Sequence, residues 1–239
     1  MTQDLAAWLG HARVDDSVFD LRPDYRALVL VAEDLRPGPS DDISEKLLAH
    51  AEEEARGRLA GAAPEELAHV AAWRAAFRAF GAKPQRTRTS VEALLRRVAD
   101  GLPRVNRLTD AYNAVSIAHT APLGGEDADR YSGPLRLVRA TGEETFETVN
   151  AGETAVEHPA PGEVVWRDDA GVTCRRWNWR QCVRTRLTES TTRGVFVIDA
   201  LDPLTDDDVL AVGTALADAL RATSPEARIH SRLLARGTA

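Results

Sequence analysis

The pattern of apolar and polar positions changes about halfway along the chain. Residues 25–32 form a short apolar run, which predicts a buried strand. After this run, apolar residues recur at helical spacing, and residues 110–119 predict one further helix. The predicted helical stripes comprise Ile43, Leu47 and Leu48; Leu67, Val70, Trp73, Phe77 and Phe80; and Val91, Leu94, Leu95 and Val98. The first half is therefore predicted to be mainly helical.

The second half consists of short segments rich in β-branched and aromatic residues, separated by Gly, Pro, Asp and Asn. A last helix is predicted over residues 206–220, where Thr205 and Asp208 resemble a capping box. Helices followed by strands predict an α+β fold with a helical layer packed on a mostly antiparallel mixed β-sheet. The predicted strands are 135–139, 145–149, 164–167, 171–176, 183–187 and 195–200.

The chain of 239 residues contains no internal repeat and no linker that would force a division. We therefore expect a single domain over residues 1–239. Within it, residues 1–79 supply a strand and helices, residues 80–220 carry the motifs discussed below, and residues 221–239 form a basic C-terminal tail.

The composition is that of an ordinary globular protein, with 44% hydrophobic and 28% charged residues. No apolar run is long enough to cross a membrane, and the first ten residues do not resemble a secretory signal. Two cysteines, Cys174 and Cys182, are too few for a disulfide framework. These features predict a cytoplasmic protein with no membrane partner.

The formal net charge is −7, but the basic residues are concentrated in two segments. Residues 83–107 contain seven basic and two acidic side chains, and residues 174–193 contain six basic and one acidic. If both segments meet, they form one positive patch on an acidic protein, which suits an anionic partner. The alternative is that these arginines are scattered and paired with nearby carboxylates.

Residues 174–181 (CRRWNWRQ) combine three arginines with two tryptophans. Such a stretch can present stacking faces and fixed positive charge, which suits phosphates and bases. The alternative is an ordinary strand with alternating faces, in which Trp177 and Trp179 belong to the core and Arg176 and Arg180 to the solvated face.

No familiar catalytic or cofactor motif is present. The six histidines are scattered, no phosphate-binding glycine loop or nucleophile elbow occurs, and neither cysteine has a nearby histidine. We therefore predict no metal and no cofactor. The remaining polar residues could bind a ligand and orient a water molecule, which suits ester hydrolysis by positioning and electrostatics.

Three stretches of the sequence resemble a known protein family. They are residues 80–97 (FGAKPQRTRTSVEALLRR), residues 102–133 (LPRVNRLTDAYNAVSIAHTAPLGGEDADRYSG) and residues 161–200 (PGEVVWRDDAGVTCRRWNWRQCVRTRLTESTTRGVFVIDA). Together they closely resemble free-standing proteins of the B3/B4 tRNA-binding domain type. That domain is the editing module of the bacterial phenylalanyl-tRNA synthetase β subunit, where it hydrolyses tyrosine wrongly attached to the tRNA. The resemblance implies a deacylase that acts in trans on the 3′ end of an aminoacyl-tRNA.

The resemblance is uneven at the pocket. The family has an Asp and an Asn at the spacing of Asp110 and Asn113, but its pocket histidine falls on Gly124 here. An acidic residue implicated in tyrosine recognition falls near Arg186, and residues 177–180 (WNWR) replace a glycine-rich turn. The resemblance therefore implies a shared framework with a different pocket lining, so tyrosine specificity does not follow from it.

Residue type and family position together predict the site. Its catalytic residues are predicted to be Asn113, Asp127 and Asn178. Its substrate-binding residues are predicted to be Ser116, Glu126, Glu143, Arg176, Trp177, Trp179, Arg180, Thr185 and Arg186. We expect the loop before Gly133, the helix with Asn113 and residues 174–181 to converge on one hollow. Two alternatives stay open: a non-catalytic tRNA-binding or synthetase-associated module, and a small-molecule binder or hydrolase on the same scaffold.

Overall fold

The computed structural model describes residues 3–150 and 152–237. Helices dominate the first half and strands the second, as the hydrophobic pattern predicts. The helices are α1 (Leu5–Leu9), α2 (Asp16–Leu21), α3 (Asp42–Leu59), α4 (Ala68–Ala79), α5 (Ser90–Leu95), α6 (Arg107–His119) and α7 (Asp206–Thr223). The strands are β1 (Arg13–Val14), β2 (Arg26–Glu33), β3 (Leu123–Asp127), β4 (Arg136–Arg139), β5 (Phe146–Asn150), β6 (Glu153–Glu157), β7 (Val164–Arg167), β8 (Val172–Arg175), β9 (Arg180–Gln181), β10 (Gly194–Ala200) and β11 (Arg228–Ala235).

The α+β class is confirmed, and the strands of the described residues divide among three sheets. One sheet has the order β1-β4-β7-β8-β9, a second has the order β11-β2-β10-β3, and β5 and β6 form a hairpin. Among the strand pairs of the described residues, β1 and β4 are parallel and all others are antiparallel. The fold is therefore more divided than a single mostly antiparallel sheet.

The sheet β11-β2-β10-β3 has one face for helices and one face for the other sheet. Its strands alternate, so Leu28, Leu30 and Phe196 pack with α6 and α7. Val29 and Val195 belong to the opposite face, where the core includes residues of α1, α4, β4, β7 and β8. The sheet β11-β2-β10-β3 is thus covered on both faces. The space between it and the sheet β1-β4-β7-β8-β9 holds the site described below.

Two glycines explain why β3 was missed. The loop expected before Gly133 includes Gly124 and Gly125, which interrupt the apolar pattern, yet residues 123–127 form β3 and pair along β10. A side chain at Gly125 would place its Cβ 2.8 Å from Phe196 Cε1 and 2.9 Å from Leu187 Cδ1. Close packing, rather than a turn, therefore requires glycine here.

The C-terminal tail prediction was also wrong in part, because residues 228–235 form β11 and pair along the whole length of β2. The predicted strand over residues 183–187 is instead irregular. The capping box of Thr205 and Asp208 at α7 is confirmed, with the Asp208 amide donating to Thr205 Oγ1. None of the helices described is long and apolar enough to cross a bilayer.

Candidate functional site

A cavity of about 260 Å³ lies between the two large sheets, and we call it the central cavity. Its lining comes from β3, β7, β8, β9 and β10, from α5 and α6, and from residues 177–179 between β8 and β9. Its apolar and aromatic lining comprises Ala93, Leu94, Tyr112, Leu123, Tyr131, Leu135, Trp166, Trp177, Trp179 and Val197. Its remaining lining comprises Ser90, Arg97, Asn113, Gly124, Glu126, Thr173, Cys174, Asn178, Arg180, Gln181 and Asp199.

Residues 176–179 form a tight turn, so their side chains do not alternate between two faces as they would in a strand. Arg176 and Trp177 have φ angles of 47° and 67°, which lie in the left-handed region. This backbone is unusual for residues other than glycine and is strained for bulky side chains. The Trp177 amide donates to the Val164 carbonyl at 2.7 Å, and the Ser90 amide donates to the Asn178 carbonyl at 2.9 Å. These bonds hold the turn between β7 and α5.

The two indoles of the turn have different surroundings. Trp177 is fully buried, with ring centroids 5.0 Å from Tyr25 and 5.3 Å from Trp73. Trp179 is half-buried, and the Arg176 guanidinium carbon lies 4.4 Å from its ring centroid. The core interpretation therefore holds for Trp177, whereas Trp179 forms an arginine-stacked surface of the kind expected for a base or phosphate partner.

Most arginines of the two basic segments are paired with carboxylates. Arg175, for example, donates to both oxygens of Glu163 at 2.9 Å and to Glu157 at 2.7 Å. The other paired arginines of these segments are Arg88, Arg96, Arg104, Arg107, Arg176, Arg184 and Arg193. The pairing alternative is thus correct for most of them.

Five basic residues of these segments form no salt bridge within residues 3–150 and 152–237: Lys83, Arg86, Arg97, Arg180 and Arg186. Two of these residues, Arg97 and Arg180, line the central cavity. Lys83 and Arg86 line a second pocket of about 300 Å³ together with Arg176. Four of these five unpaired residues therefore line the two pockets, and Arg186 is exposed elsewhere.

Asp199 lies near the end of β10 with its carboxyl group in the central cavity. The Tyr25 hydroxyl donates to Asp199 Oδ1 at 2.5 Å, and Asn178 Nδ2 donates to Oδ2 at 3.4 Å. Burial raises the pKa of Asp199 to about 7, although these hydrogen bonds act in the opposite direction. Asp199 is thus a carboxyl group that changes its charge near neutral pH.

Glu126 lies on β3 and has a similar environment. The Tyr131 hydroxyl donates to Glu126 Oε2, and Gln181 Nε2 donates to Oε1 at 3.5 Å. Burial raises the pKa of Glu126 to about 7. Burial, and then the charges of Glu126 and Asp199, also raise the pKa of Cys174 well above its usual value. A Cys174 thiolate is therefore disfavoured, as the absence of a neighbouring histidine in the sequence predicts.

Several buried polar atoms of the cavity lining have no hydrogen-bond partner in the part of the chain that the structure describes: Trp166 Nε1, Trp177 Nε1, Thr173 Oγ1, Asn178 Oδ1 and Ser90 Oγ. The Trp166 indole N–H lies near the Asp199 carboxyl group and the Trp177 indole N–H near the Tyr25 hydroxyl, and each acts to lower the pKa of that group, but neither is in hydrogen-bonding geometry. Buried polar atoms are nearly always paired in folded proteins, so this concentration indicates a ligand or water site.

The structure brings half of the predicted site together. Lining the central cavity are Asn113, Glu126, Trp177, Asn178, Trp179 and Arg180. Their convergence agrees with the expected hollow, while their catalytic and binding roles stay predictions. The loop before Gly133, the helix with Asn113 and the aromatic-basic stretch do meet.

The other predicted site residues point elsewhere. Asp127 follows Glu126 on β3, so its side chain is on the opposite face, where it accepts from Thr191 Oγ1 at 2.8 Å. Ser116 donates to the Ala121 carbonyl at 2.7 Å, and buried Thr185 lies against the sulfur of Cys182. Arg176 lines the second pocket. Glu143 and Arg186 are exposed, although the Arg186 backbone bridges to that of Glu126.

Sequence reasoning missed several lining residues, above all Asp199 and Tyr131. Asp199 ends the apolar run of residues 195–198, and an acidic residue inside such a run is a usable signal of a buried carboxyl group. Arg97 had no distinguishing local signal, because its role depends on α5 reaching the cavity. No group of three His, Cys, Asp or Glu side chains suited to a metal ion occurs in residues 3–150 and 152–237.

Comparisons with known proteins identify the family of this chain. The family model described as "B3/4 domain" matches residues 72–209. No curated protein matches this chain. Among solved structures, the chain is similar to an N-terminal fragment of the phenylalanyl-tRNA synthetase β subunit from Pyrococcus horikoshii, with 13% identity and a TM-score of 0.46. That similarity covers 93% of this chain and 50% of the other, so the chain spans about half the length of that structure. Because the family model covers more than half of the 239 residues, this protein belongs to the B3/4 domain family.

Proposed function

We propose that this protein hydrolyses the ester bond of an aminoacyl-tRNA, with the aminoacyl group in the central cavity. The observation that carries the proposal is the combination of unpartnered buried polar atoms with two unpaired guanidiniums in one lining. The polar atoms suit a small polar group inside the cavity, and Arg97 and Arg180 suit phosphates at its edge. Its B3/4 resemblance supplies the tRNA as the expected partner, and a charged tRNA implies a cytoplasmic protein.

The turn supports binding of the terminal nucleotides. Trp179 offers a half-buried ring that lies within 5.9 Å of the Arg180 guanidinium carbon. A base can stack on such a ring while arginines contact the phosphates, and each stacked base contributes about 1–3 kcal/mol. On the other side of Trp179, Lys83 and Arg86 extend the unpaired positive charge into the second pocket. We therefore propose that the RNA strand crosses the turn.

The chemistry assigned to the site needs only positioning. Asn113 and Asn178 both line the central cavity, and Asn178 Oδ1 has no partner among the described residues, so it is free to hold a water molecule. The water oxygen bonds to the carbonyl carbon, the bond from this carbon to the ribose oxygen breaks, and the proton from water ends on that ribose oxygen. The neighbouring 2′-hydroxyl of the ribose is suited to relay this proton. The products are a free amino acid and an uncharged tRNA.

A second candidate function is binding of the aminoacyl end without hydrolysis. It is favoured by the Cys174 thiol, which lines the cavity but has its pKa raised well above the usual value. A covalent route through this thiol is therefore disfavoured, so hydrolysis depends on water positioning alone.

The test is a panel of aminoacyl-tRNAs, with both tRNA binding and deacylation measured. We expect deacylation above the spontaneous rate for at least one amino acid, and a loss of about 100-fold in kcat for Asn178→Ala, as for the removal of one positioned polar group. The Arg97→Ala/Arg180→Ala double variant is expected to weaken tRNA binding and lower its salt slope by about 1 to 2. Arg221→Ala, at an exposed site on α7, is the matched control.

The outcomes separate the two candidate functions. Salt-sensitive tRNA binding with no turnover of any charged tRNA contradicts the hydrolase and supports the binding module. The absence of both tRNA binding and deacylation contradicts both candidate functions.

A further inference from the structure

Two carboxyl groups of the central cavity lack a positive partner. Within the residues described, neither Glu126 nor Asp199 lies within salt-bridge distance of an arginine, lysine or histidine. Both are buried, at 6% and 3% exposure. Arg97 and Arg180 line the same cavity but form no salt bridge with either of them. Buried carboxyl groups are normally paired, so a cationic ligand would complete the site.

The strand register separates the two carboxyl groups within the cavity lining. Glu126 is paired with Val195, and the Asp199 amide donates to the Pro122 carbonyl. The two side chains share one face of the sheet and are offset by four residues, which is about 13 Å along the strands. Val197 lies between the levels of these two residues on β10 and also lines the cavity, as does Cys174. The cavity lining thus contains two carboxyl groups separated along the strands.

The cavity lining has a large apolar part. Leu135, Val197 and the aromatic rings of Tyr112, Trp166 and Trp177 contribute to it. Such a lining suits a chain of methylene groups, which gains free energy when it leaves water. It does not suit an uncompensated charge in the middle of the cavity.

We propose that the central cavity selects an aminoacyl group with two ammonium groups, of the lysine and ornithine class. This inference rests on the proposed deacylase function and names its substrate class. One ammonium group binds Glu126, the other binds Asp199, and the methylene chain lies along the apolar part of the lining. An amino acid with an apolar side chain leaves one carboxyl group without a partner, and a site built for a polar group rejects such an analogue by about 100-fold or more.

Several neighbouring groups act on the charge of these two carboxyl groups. Around Asp199 they are Tyr25, Trp166, Cys174 and Asn178. Around Glu126 they are Tyr131, Asp168, Thr173, Cys174, Gln181, Cys182 and Thr185. Because the pKa of both carboxyl groups is raised to about 7, Glu126 and Asp199 are mainly protonated below this pH when the cavity holds no ligand. Ligand affinity is therefore expected to rise as the pH rises from about 5.5 to 7.

The first experiment is calorimetric titration with L-lysinamide and L-norleucinamide at pH 7. These two ligands share the chain length, and only lysinamide carries the second ammonium group. We expect lysinamide to bind about 100-fold more tightly to the natural protein. Both ligands carry the α-ammonium group, so only the carboxyl group that binds the side-chain ammonium group sets this preference. One of the variants Glu126→Gln and Asp199→Asn is therefore expected to abolish the preference and the other to weaken both ligands alike, whereas Glu53→Gln on the exposed face of α3 is expected to keep both affinities. Equal affinity for the two ligands overturns the proposal, and this comparison needs no variant to fold.

The second experiment charges one tRNA with lysine and, separately, with norleucine. Faster deacylation of the lysyl form supports both the function and its substrate class. Equal deacylation of both forms contradicts the substrate class alone. Selective binding of lysinamide without deacylation of either tRNA contradicts the hydrolase and leaves the selectivity of the cavity supported.

Discussion

Asp168 and Asp199 are the same residue type at nearly the same burial, with 0% and 3% exposure, but they have different partners. Asp168 accepts two hydrogen bonds from Arg184, at 2.9 and 2.8 Å, and one from the Ser132 amide at 2.8 Å. Asp199 accepts from a tyrosine hydroxyl and an asparagine amide and has no cationic partner within the described residues. Burial alone therefore does not determine the electrostatic environment of a carboxyl group, because Asp168 has a cationic partner and Asp199 has none among the described residues.

The largest predicted effect concerns the paired aspartate. Asp168→Asn removes the buried negative charge that holds the half-buried Arg184 guanidinium, and it weakens the turn formed by the Ala170 and Gly171 amides. We expect the free energy of unfolding to fall by about 3–5 kcal/mol, as for a broken buried ion pair. Urea denaturation at neutral pH measures this loss.

Asp169→Asn is the matched control for that variant. Asp169 is the next residue, but its carboxyl group is half-exposed and pairs only with Arg136. A loss of less than about 1 kcal/mol is expected for such a surface pair. Equal losses in the two variants would show that the Asp168 network is not a structural ion pair.

The second prediction concerns the unpaired carboxyl groups and the pH dependence of stability. Burial raises the pKa of Asp199 from 3.8 to about 7 and that of Glu126 from 4.5 to about 7. The folded state therefore binds protons more tightly than the unfolded state. Each group thus lowers the free energy of unfolding of the protein as the pH rises from about 4 to 7. The loss is expected to be on the order of 3 kcal/mol for each group.

The measurement compares the natural protein with the Glu126→Gln/Asp199→Asn double variant between pH 4 and 8. The stability of the natural protein relative to the variant should fall across this range and level off above pH 7. A relative stability that rises with pH would mean that both carboxyl groups are ionised and stabilised in the fold.

The third prediction uses one substitution at two buried threonines. Thr173 Oγ1 has no hydrogen-bond partner in the described part of the chain, whereas Thr191 Oγ1 donates to Asp127 Oδ2 at 2.8 Å. Thr173→Val is expected to leave stability unchanged or raise it by about 1 kcal/mol, because it removes an unpaired buried hydroxyl. Thr191→Val is expected to cost about 1–3 kcal/mol. Thermal denaturation of the two variants gives the comparison, and a loss in Thr173→Val as large as in Thr191→Val would argue for a partner at Thr173.

The smallest predicted effect concerns an exposed carboxylate. Asp218 lies 3.9 Å from Arg221 on α7, and its side chain is 73% exposed. Because water and ions screen such a pair, Asp218→Asn is expected to change the free energy of unfolding by less than about 0.5 kcal/mol. A change above 1 kcal/mol, measured by urea denaturation, would place this pair with the buried ones.

The hydrophobic pattern predicted the main elements because their burial repeats at regular spacing. The strand over residues 25–32, the helix of residues 110–119 and the capping box of Thr205 were read correctly. Strand β3 was missed because its glycines serve packing against Phe196, which the pattern of the segment itself does not show. The turn of residues 176–179 was also missed, because left-handed backbone at Arg176 and Trp177 runs against their local preferences.

About half of the candidate site could be predicted, and the division has a physical cause. Residues 174–181 and Asn113 stood out by their chemistry, and the structure places Trp179, Arg180, Asn178 and Asn113 at one cavity. Asp127 was misplaced because consecutive residues of a strand face opposite sides, and the position of β3 in a sheet was not foreseen.

The sequence by itself determined the α+β class, the family and the segments from which the site is built. These properties depend on the periodicity of apolar residues and on local residue types, both of which can be read directly from the sequence. Only the tertiary structure decided which arginines stay unpaired and which carboxyl groups are buried without a cation. Charge pairing joins residues far apart in the sequence, such as Tyr25 with Asp199 and Arg184 with Asp168, so it depends on how the two sheets meet.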